Sequence, residues 1–339
     1  MVTIQHVAEK AGVSPSTVSR VLNDKASHLV SDATREKVAQ AARELGYHPS
    51  AAARAMATGR THVVAIACQQ VTQPHYVRMI EAARQKATQW GCHLLLASET
   101  DERGVVAEDL LGRRQADIVL QVTYPVERVD ALARATVGSG QRLVAVGPMG
   151  YAPPVKVMSA YWDDRRGMGK AVDYLAGLGH RHVAFLAGCA ARYKERAFAE
   201  AAGELGMEVS TVDVADETDQ LAAGADMARR VLELDPRPTA IVARNDQFAI
   251  GAISALHAAG VRIPEDISLV GYNDTPMAAY TTPSLTTVRT PVVECAEAVL
   301  DSALRSLQDP SDQDQPQVHS YGFDTRLIVR DSVGPPRAG

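Results

Sequence analysis

The residues best able to do chemistry cluster first in "AGVSPSTVSRVLN", residues 11–23. Ser14, Ser16, Thr17 and Ser19 are short hydroxyl donors at or near a helix N-terminus, where backbone N–H groups also point outward. Such an end suits phosphate oxygens. Arg20 lies one turn along and can grip a guanine edge with two parallel hydrogen bonds. A capped surface helix that carries an arginine fits the same residues, so this segment alone does not decide. Catalytic spacings are missing elsewhere. No G-x-x-x-x-G-K-[ST] occurs, and "GMGK" at 167–170 lacks a hydroxyl after Lys170. Neither G-x-S-x-G nor H-E-x-x-H is present. Asp163 and Asp164 are adjacent, so alternation along an extended chain points them apart. Cys68, Cys92, Cys189 and Cys295 form no C-x-x-C pair and sit in apolar runs such as "VVAIAC" and "GCHLLL". They read as core thiols and not as zinc ligands. No enzyme, metal or cofactor is expected.

The elements that must position these residues follow from charge and periodicity. The 339-residue chain has net charge −5. Residues 1–60 hold 8 Lys+Arg against 5 Asp+Glu, which leaves −8 for the remainder. A polyanion partner is therefore expected only for the N-terminal part. Residues 1–46 read as three short helices. Thr3 caps the first and Gly12 ends it; Ser14 caps the second, with Pro15 at its first position; Ser31 caps the third, which Gly46 ends. Val18, Val21 and Leu22 face inward, as do Val38, Ala41, Ala42 and Leu45. Two helices on a tight Gly-containing turn with a supporting third spell helix-turn-helix. "YHPSAAARAMATGRT", residues 47–61, holds about two turns of Ala-rich chain between Pro49 and Gly59. Helices shorter than roughly 12–15 residues are marginal alone, so this patch needs a partner.

From residue 62 apolar runs of strand length alternate with helix-length segments: "HVVAIA", "HLLLA", "DIVLQV", "RLVAVG", "VKVMSAY", "HVAFLA", "TAIVA" and "ISLVGYN". This predicts an α/β core of two lobes, each a parallel sheet covered on both faces, with ligands outside the carboxyl ends of the strands. The opening decapeptide has no apolar signal core, and no run approaches about eighteen apolar residues, so a cytoplasmic protein without membrane contact is expected.

Several segments resemble, in order, the bacterial lactose-repressor/galactose-repressor (LacI/GalR) regulators. "TIQHVAEKAGVSPSTVSRVLN" resembles their opening and "YHPSAAARAMATGRT" their hinge. "LGHRHVAFLAG", "IVARNDQFAIGAISALHAAGVRIPEDISLVGYND" and "PSLTTVRTP" resemble their effector-binding core, which has a periplasmic-binding-protein-like fold. The resemblance implies a helix-turn-helix domain at 1–46 and a hinge at 47–61. It implies one core subdomain from 62–161 with 290–322, and a second from 162–289 with 323–339.

It further implies that Pro15, Ser16 and Arg20 read bases in the major groove. Thr17, Asn23, His28, Thr34 and Tyr47 would mainly grip backbone, beside Ser14 and Ser19. Met56 stands where the family has a Leu wedge for the minor groove, and Arg54 would reach the groove's rim. His6 replaces an Asp of the family's first helix and cannot complete that N-terminal cap when protonated. An effector is implied between the lobes, against His75, Tyr76, Tyr124, Asp163, Lys194, Asn245 and Asn273.

Three departures bear on its chemistry. Lys194 replaces a clamping Arg, so bidentate recognition is lost. Asn273 stands where many sugar-responsive relatives have Asp. An aromatic platform is replaced near Thr218 or Asp219. With Arg244 or Arg103 near Lys194, a more cationic pocket is expected; Trp162 is expected in the core. A sugar or polyol is the leading effector, an acidic or phosphorylated sugar the runner-up. The expectation is a homodimeric repressor on pseudo-palindromic operator DNA, released by its effector. A solute-binding protein or a sugar-processing enzyme would use the same two-lobed core; neither would explain the basic N-terminal residues.

Overall fold

The computed structural model describes residues 2–22, 30–48, 55, 58–68, 71, 73–98, 105–122, 129, 132–134, 136, 139–148, 157–188, 192–309 and 319–337. The chain forms two compact units, Met1–His62 and Val63–Gly339.

The first unit holds α1 (Ile4–Ala11), α2 (Pro15–Leu22) and α3 (Asp32–Leu45). Helix α1 starts at a box in which the Thr3 N–H donates to His6 Nδ1 at 3.1 Å, with Thr3 Oγ1 2.9 Å from the same nitrogen. An imidazole nitrogen accepts only when unprotonated. The His6 ring nitrogen thus closes the reciprocal half of a capping box with Thr3. Gly12 (φ 66) and Gly46 (φ 61) close α1 and α3 in the left-handed conformation that favours glycine. Val7, Ala8, Val18, Val38, Ala41 and Ala42 form the buried core, flanked by Val21, Leu22 and Leu45. That is little apolar surface: about 1.5–3 kcal/mol for each buried Val. Caps worth about 1 kcal/mol apiece are therefore a large share of what holds this unit together.

The second unit contains two six-stranded sheets. The first has the order β11-β5-β4-β3-β1-β2 and the second β12-β10-β9-β8-β6-β7. The strands are β1 (Val63–Cys68), β2 (His93–Ser98), β3 (Ile118–Val122), β4 (Arg142–Pro148), β5 (Met158–Trp162), β6 (His182–Leu186), β7 (Glu208–Val212), β8 (Ala240–Ala243), β9 (Ser268–Asn273), β10 (Thr286–Arg289), β11 (Ser320–Phe323) and β12 (Arg326–Ile328). All pair in parallel except β10 with β12. Strands β3, β4, β8 and β9 are buried along their whole length, as continuous apolar runs require in a sheet covered on both faces. Strand β2 departs from this. It is an edge strand, and Leu95 and Leu96 are 39% and 45% exposed.

Helices α4 (Pro74–Gln89) and α10 (Val292–Gln308) cover one face of the first sheet, and α5 (Val105–Gly112) covers the other. Around the second sheet, α6 (Asp164–Gly177) and α7 (Arg192–Glu204) lie on one face, α8 (Gln220–Leu232) and α9 (Asp246–Ala258) on the opposite one. The chain passes between the sheets three times: after β5, after β10 and after β11. Cys68 and Cys295 are buried and Cys92 partly so, and burial pushes the Cys295 thiol up, as core thiols require. Cys189 lies outside the described residues.

Candidate DNA-binding and effector sites

At the start of α2 the hydroxyls engage one another. Ser14 Oγ accepts from the Thr17 N–H at 3.2 Å and lies 2.8 Å from Ser16 Oγ and 2.9 Å from Thr17 Oγ1. The cap predicted for Ser14 is present, and the other hydroxyls form a ladder around it. Pro15, Ser16 and Arg20 are exposed, Thr17 and Ser19 half-buried. Lys10 pairs with Glu44 at 2.7 Å and Arg35 with Asp32 at 3.1 Å. Arg20 has no ion pair among the described residues, so its guanidinium is left for an outside acceptor. Thr34 donates its N–H to Ser31 Oγ at 3.3 Å, at the start of α3. Tyr47 packs on the helical core and donates its N–H to the Ala42 carbonyl at 2.9 Å, which fixes the exit of α3. Asn23, His28, Arg54 and Met56 lie outside the described residues.

The second cluster lies at the carboxyl ends of the strands, chiefly those of the second sheet. Lys194 stands on the first turn of α7 and is 8% exposed. Its Nζ sits 4.0 Å above the centre of the Tyr272 ring and 3.5 Å from the Arg244 carbonyl oxygen. The Tyr272 hydroxyl donates to Asp164 Oδ1 at 2.5 Å, and Trp162 Nε1 donates to the same oxygen at 2.8 Å. The other oxygen, Asp164 Oδ2, is buried with no partner among the described residues. Burial lowers the Lys194 ammonium and the nearby Asp164 and Asp246 oppose that shift. Burial beside Asp164 holds the Tyr272 hydroxyl well above its usual range. Trp162, as expected, belongs to the core of the first sheet.

Asn273 ends β9 with φ 99, and Asp274 follows with φ 50. Left-handed backbone at a residue other than glycine costs about 1–3 kcal/mol and persists only where the surroundings over-determine it. Here they do. The Asp274 carboxylate receives Arg289 and Arg330, at 2.7 and 2.6 Å. The Thr275 N–H and Thr287 hydroxyl both donate to Asp246, each at 2.6 Å. Burial pushes the Asp246 carboxyl up to about 6, against these hydrogen bonds. A Cβ at Gly271 would collide with Asp246 Oδ1, which is why only glycine fits there. On the other side His75 Nδ1 lies 3.4 Å from Asn273 Nδ2, and its ring centre 4.0 Å from that of Tyr76. Burial first, then the Lys194 charge, push the His75 imidazole down to about 3, so it is neutral at ordinary pH.

The structure thus brings His75, Tyr76, Lys194 and Asn273 together, with Asp164, Tyr272 and Asp246, which sequence reasoning missed. Two predicted residues have local structural duties. Asp163 N-caps α6, accepting from the N–H groups of Arg165 and Arg166 at 2.9 and 3.2 Å. Asn245 N-caps α9, accepting from the Phe248 N–H at 2.9 Å and donating to Gln220 at 3.0 Å. Asp219 likewise caps α8, and Thr218 donates to Asp216 at 2.6 Å. Arg244 pairs with Glu217 at 2.9 Å, both largely buried. Among the described residues, Asp164 and Asp246 lie near Lys194 and Glu217 pairs with Arg244, which offsets the cationic charge expected of the pocket. Tyr124 and Arg103 lie outside the described residues.

Comparison with known proteins matches a segment of each unit. Residues 3–50 match the family described as bacterial regulatory proteins, lacI family, and residues 172–333 match the periplasmic binding protein-like domain. The chain is 30% identical to the HTH-type transcriptional regulator DegA of Bacillus subtilis, over 98% of each protein. It is 29% identical to the ribose operon repressor of Escherichia coli, over 93% of this chain and 96% of that one. Among solved structures, the lac repressor dimer bound to operator and the anti-inducer ONPF superposes with a TM-score of 0.82. That match has 25% identity and covers 98% of this chain and 99% of that one. These matches span both the helical unit and the two-sheet α/β unit: the chain belongs to the LacI family of bacterial transcriptional regulators, and it is a DNA-binding regulator, not an enzyme.

Proposed function

We propose that the chain acts in the cytoplasm as a homodimeric repressor, and that its effector is a sugar or polyol held between the carboxyl ends of the two sheets. In this reading residues 1–46 are the DNA-binding domain and 47–61 the hinge. The core halves are 62–161 with 290–322, and 162–289 with 323–339. Pro15, Ser16 and Arg20 read bases, while Ser14, Thr17, Ser19, Asn23, His28, Thr34 and Tyr47 hold backbone. Met56 wedges into the minor groove with Arg54 at its rim. His75, Tyr76, Tyr124, Asp163, Lys194, Asn245 and Asn273 face the effector.

One observation carries the effector class. Lys194 and Asp164 are buried opposite charges that do not touch, and each has unused hydrogen-bonding capacity. A hydroxyl accepts from an ammonium and donates to a carboxylate, so it serves both. An anionic group would be attracted by Lys194 but repelled by Asp164 and Asp246. The ribose operon repressor among the relatives supports the same class. Exposed apolar side chains support the dimer: Leu95 and Leu96 on the edge strand, with Met277 61% and Tyr280 82% exposed. So does the dimeric, operator-bound state of the lac repressor. Effector control is a population shift: the ligand must bind the operator-competent and released states unequally.

The test is a thermal-shift comparison of D-ribose, D-galactose and D-gluconate on the full chain, since a specific ligand raises apparent stability by mass action. Hits are then titrated against a duplex selected from a random pool, at fixed salt. The expected result is a shift with a neutral sugar and weakened duplex binding in its presence. A shift with gluconate alone would overturn the neutral-polyol reading.

A further inference from the structure

The Asn273–Asp274 corner is held from within the second sheet, but its outward face is gripped from elsewhere. Arg78, at the start of the second turn of α4, donates from Nη1 to the Asp274 carbonyl oxygen at 3.2 Å. His75, three residues earlier and therefore on the same helical face, meets the Asn273 carboxamide at 3.4 Å. Helix α4 packs on the first sheet and β9 lies within the second. The two contacts therefore join the halves of the core across the site where Lys194 and Asn273 converge.

The corner can be gripped there because the inward-facing groups are already engaged. Its carboxylate is held by Arg289 and Arg330, the Asp274 N–H by Thr287 Oγ1 at 3.3 Å, and the Thr275 N–H by Asp246. The left-handed backbone turns the Asp274 carbonyl to Arg78. A guanidinium presents its donors in a fixed plane, so this contact transmits orientation as well as charge.

We infer that Arg78 is a positioning residue for the effector response: by holding the Asp274 carbonyl it sets the Asn273 carboxamide against His75 and couples the two halves of the core, without itself touching the effector. This rests on the reading that an effector binds between the halves. The coupling itself exists without ligand. A ligand that engages Asn273 changes what Arg78 holds, and by linkage Arg78 changes the affinity for that ligand.

The test compares Arg78→Met, which keeps the stem, and Arg78→Lys, which keeps the charge, in the full chain. Amide hydrogen exchange is read at Asp274 and Thr275, with the urea midpoint as the measure of global stability. Loss of a hydrogen bond to a charged group corresponds to about a tenfold effect or more. Arg78→Met is expected to speed exchange at these two amides about tenfold, with exchange in β3 and β8 and the urea midpoint unchanged. Arg78→Lys is expected to restore part of the protection. Unchanged exchange at the corner would overturn the inference. So would acceleration spread evenly through both sheets, since that marks a purely structural role. A second readout is the affinity for D-ribose, expected about tenfold weaker in Arg78→Met. If the wild-type chain binds neither D-ribose nor D-galactose, the sugar reading fails, while the exchange result still decides the role of Arg78.

Discussion

Replacing Arg330 by methionine tests the account of the left-handed corner most directly. Arg330 has an 18% exposed side chain, and its two partners, the Asp274 carboxylate and the Leu285 carbonyl, belong to residues 4% and 0% exposed. It donates to each at 2.6 Å. Hydrogen bonds from a charged donor are worth about 1.5–3 kcal/mol each, and removing one member of a buried pair costs about 3–5 kcal/mol. Arg289 still holds the other carboxylate oxygen in Arg330→Met, through Nε and Nη2. The expected loss is therefore about 3–4 kcal/mol. At about 2–4 °C per kcal/mol for a unit of this size, Tm falls by roughly 6–16 °C. Arg289→Met is the control. Its side chain is 41% exposed, so solvent screens the pair and about 1 kcal/mol is expected. Urea denaturation of the full chain, followed by far-UV circular dichroism, measures both. Equal losses in the two variants, or less than about 1 kcal/mol in Arg330→Met, would refute the claim that the buried arginine secures the corner.

Gly271→Ala should lose about 1–3 kcal/mol in the same urea assay, because the added methyl collides with Asp246 Oδ1 and Leu285. His180 is fully buried, and burial lowers its imidazole below the usual value. The unfolded chain therefore binds this proton more readily, and stability contributed by neutral His180 is present above about pH 6.5 and lost as pH falls below it. Urea midpoints between pH 7.5 and 5 should drop less in His180→Asn than in the parent chain. Arg20→Ala should weaken binding to a selected duplex by about 1–3 kcal/mol, roughly five- to 150-fold, and reduce discrimination against a random competitor at the same salt.

Local signals were legible wherever they were local. Thr3, Gly12, Ser14, Ser31 and Gly46 mark helix ends by side-chain chemistry alone, and each has that role. The continuous apolar runs are strands because a sheet covered on both faces has no polar side to show. The edge strands β7, β11 and β12 carry mixed side chains and were not legible by this rule. The effector site was legible only in part. Asp164 meets Tyr272 108 residues away, and no spacing in the sequence announces that contact. Asp163 and Asn245 drew attention by position, yet an acidic or amide residue just before a helix is first of all a cap. The ion pair that neutralises Arg244 depends on Glu217, 27 residues upstream, and no local spacing announces it.

The threefold passage of the chain between its sheets has a consequence for synthesis. The first sheet gains its sixth strand only at β11, and its core includes Val299, Leu300 and Leu304 from α10. By the time these emerge from the ribosome, residues 182–289, with five strands of the other sheet, have already been made. The half begun first is thus the half finished late, and its nascent apolar face must wait, open, for a helix encoded more than a hundred codons downstream of β5. Truncation before residue 292 should consequently leave an aggregation-prone fragment in place of a smaller working protein.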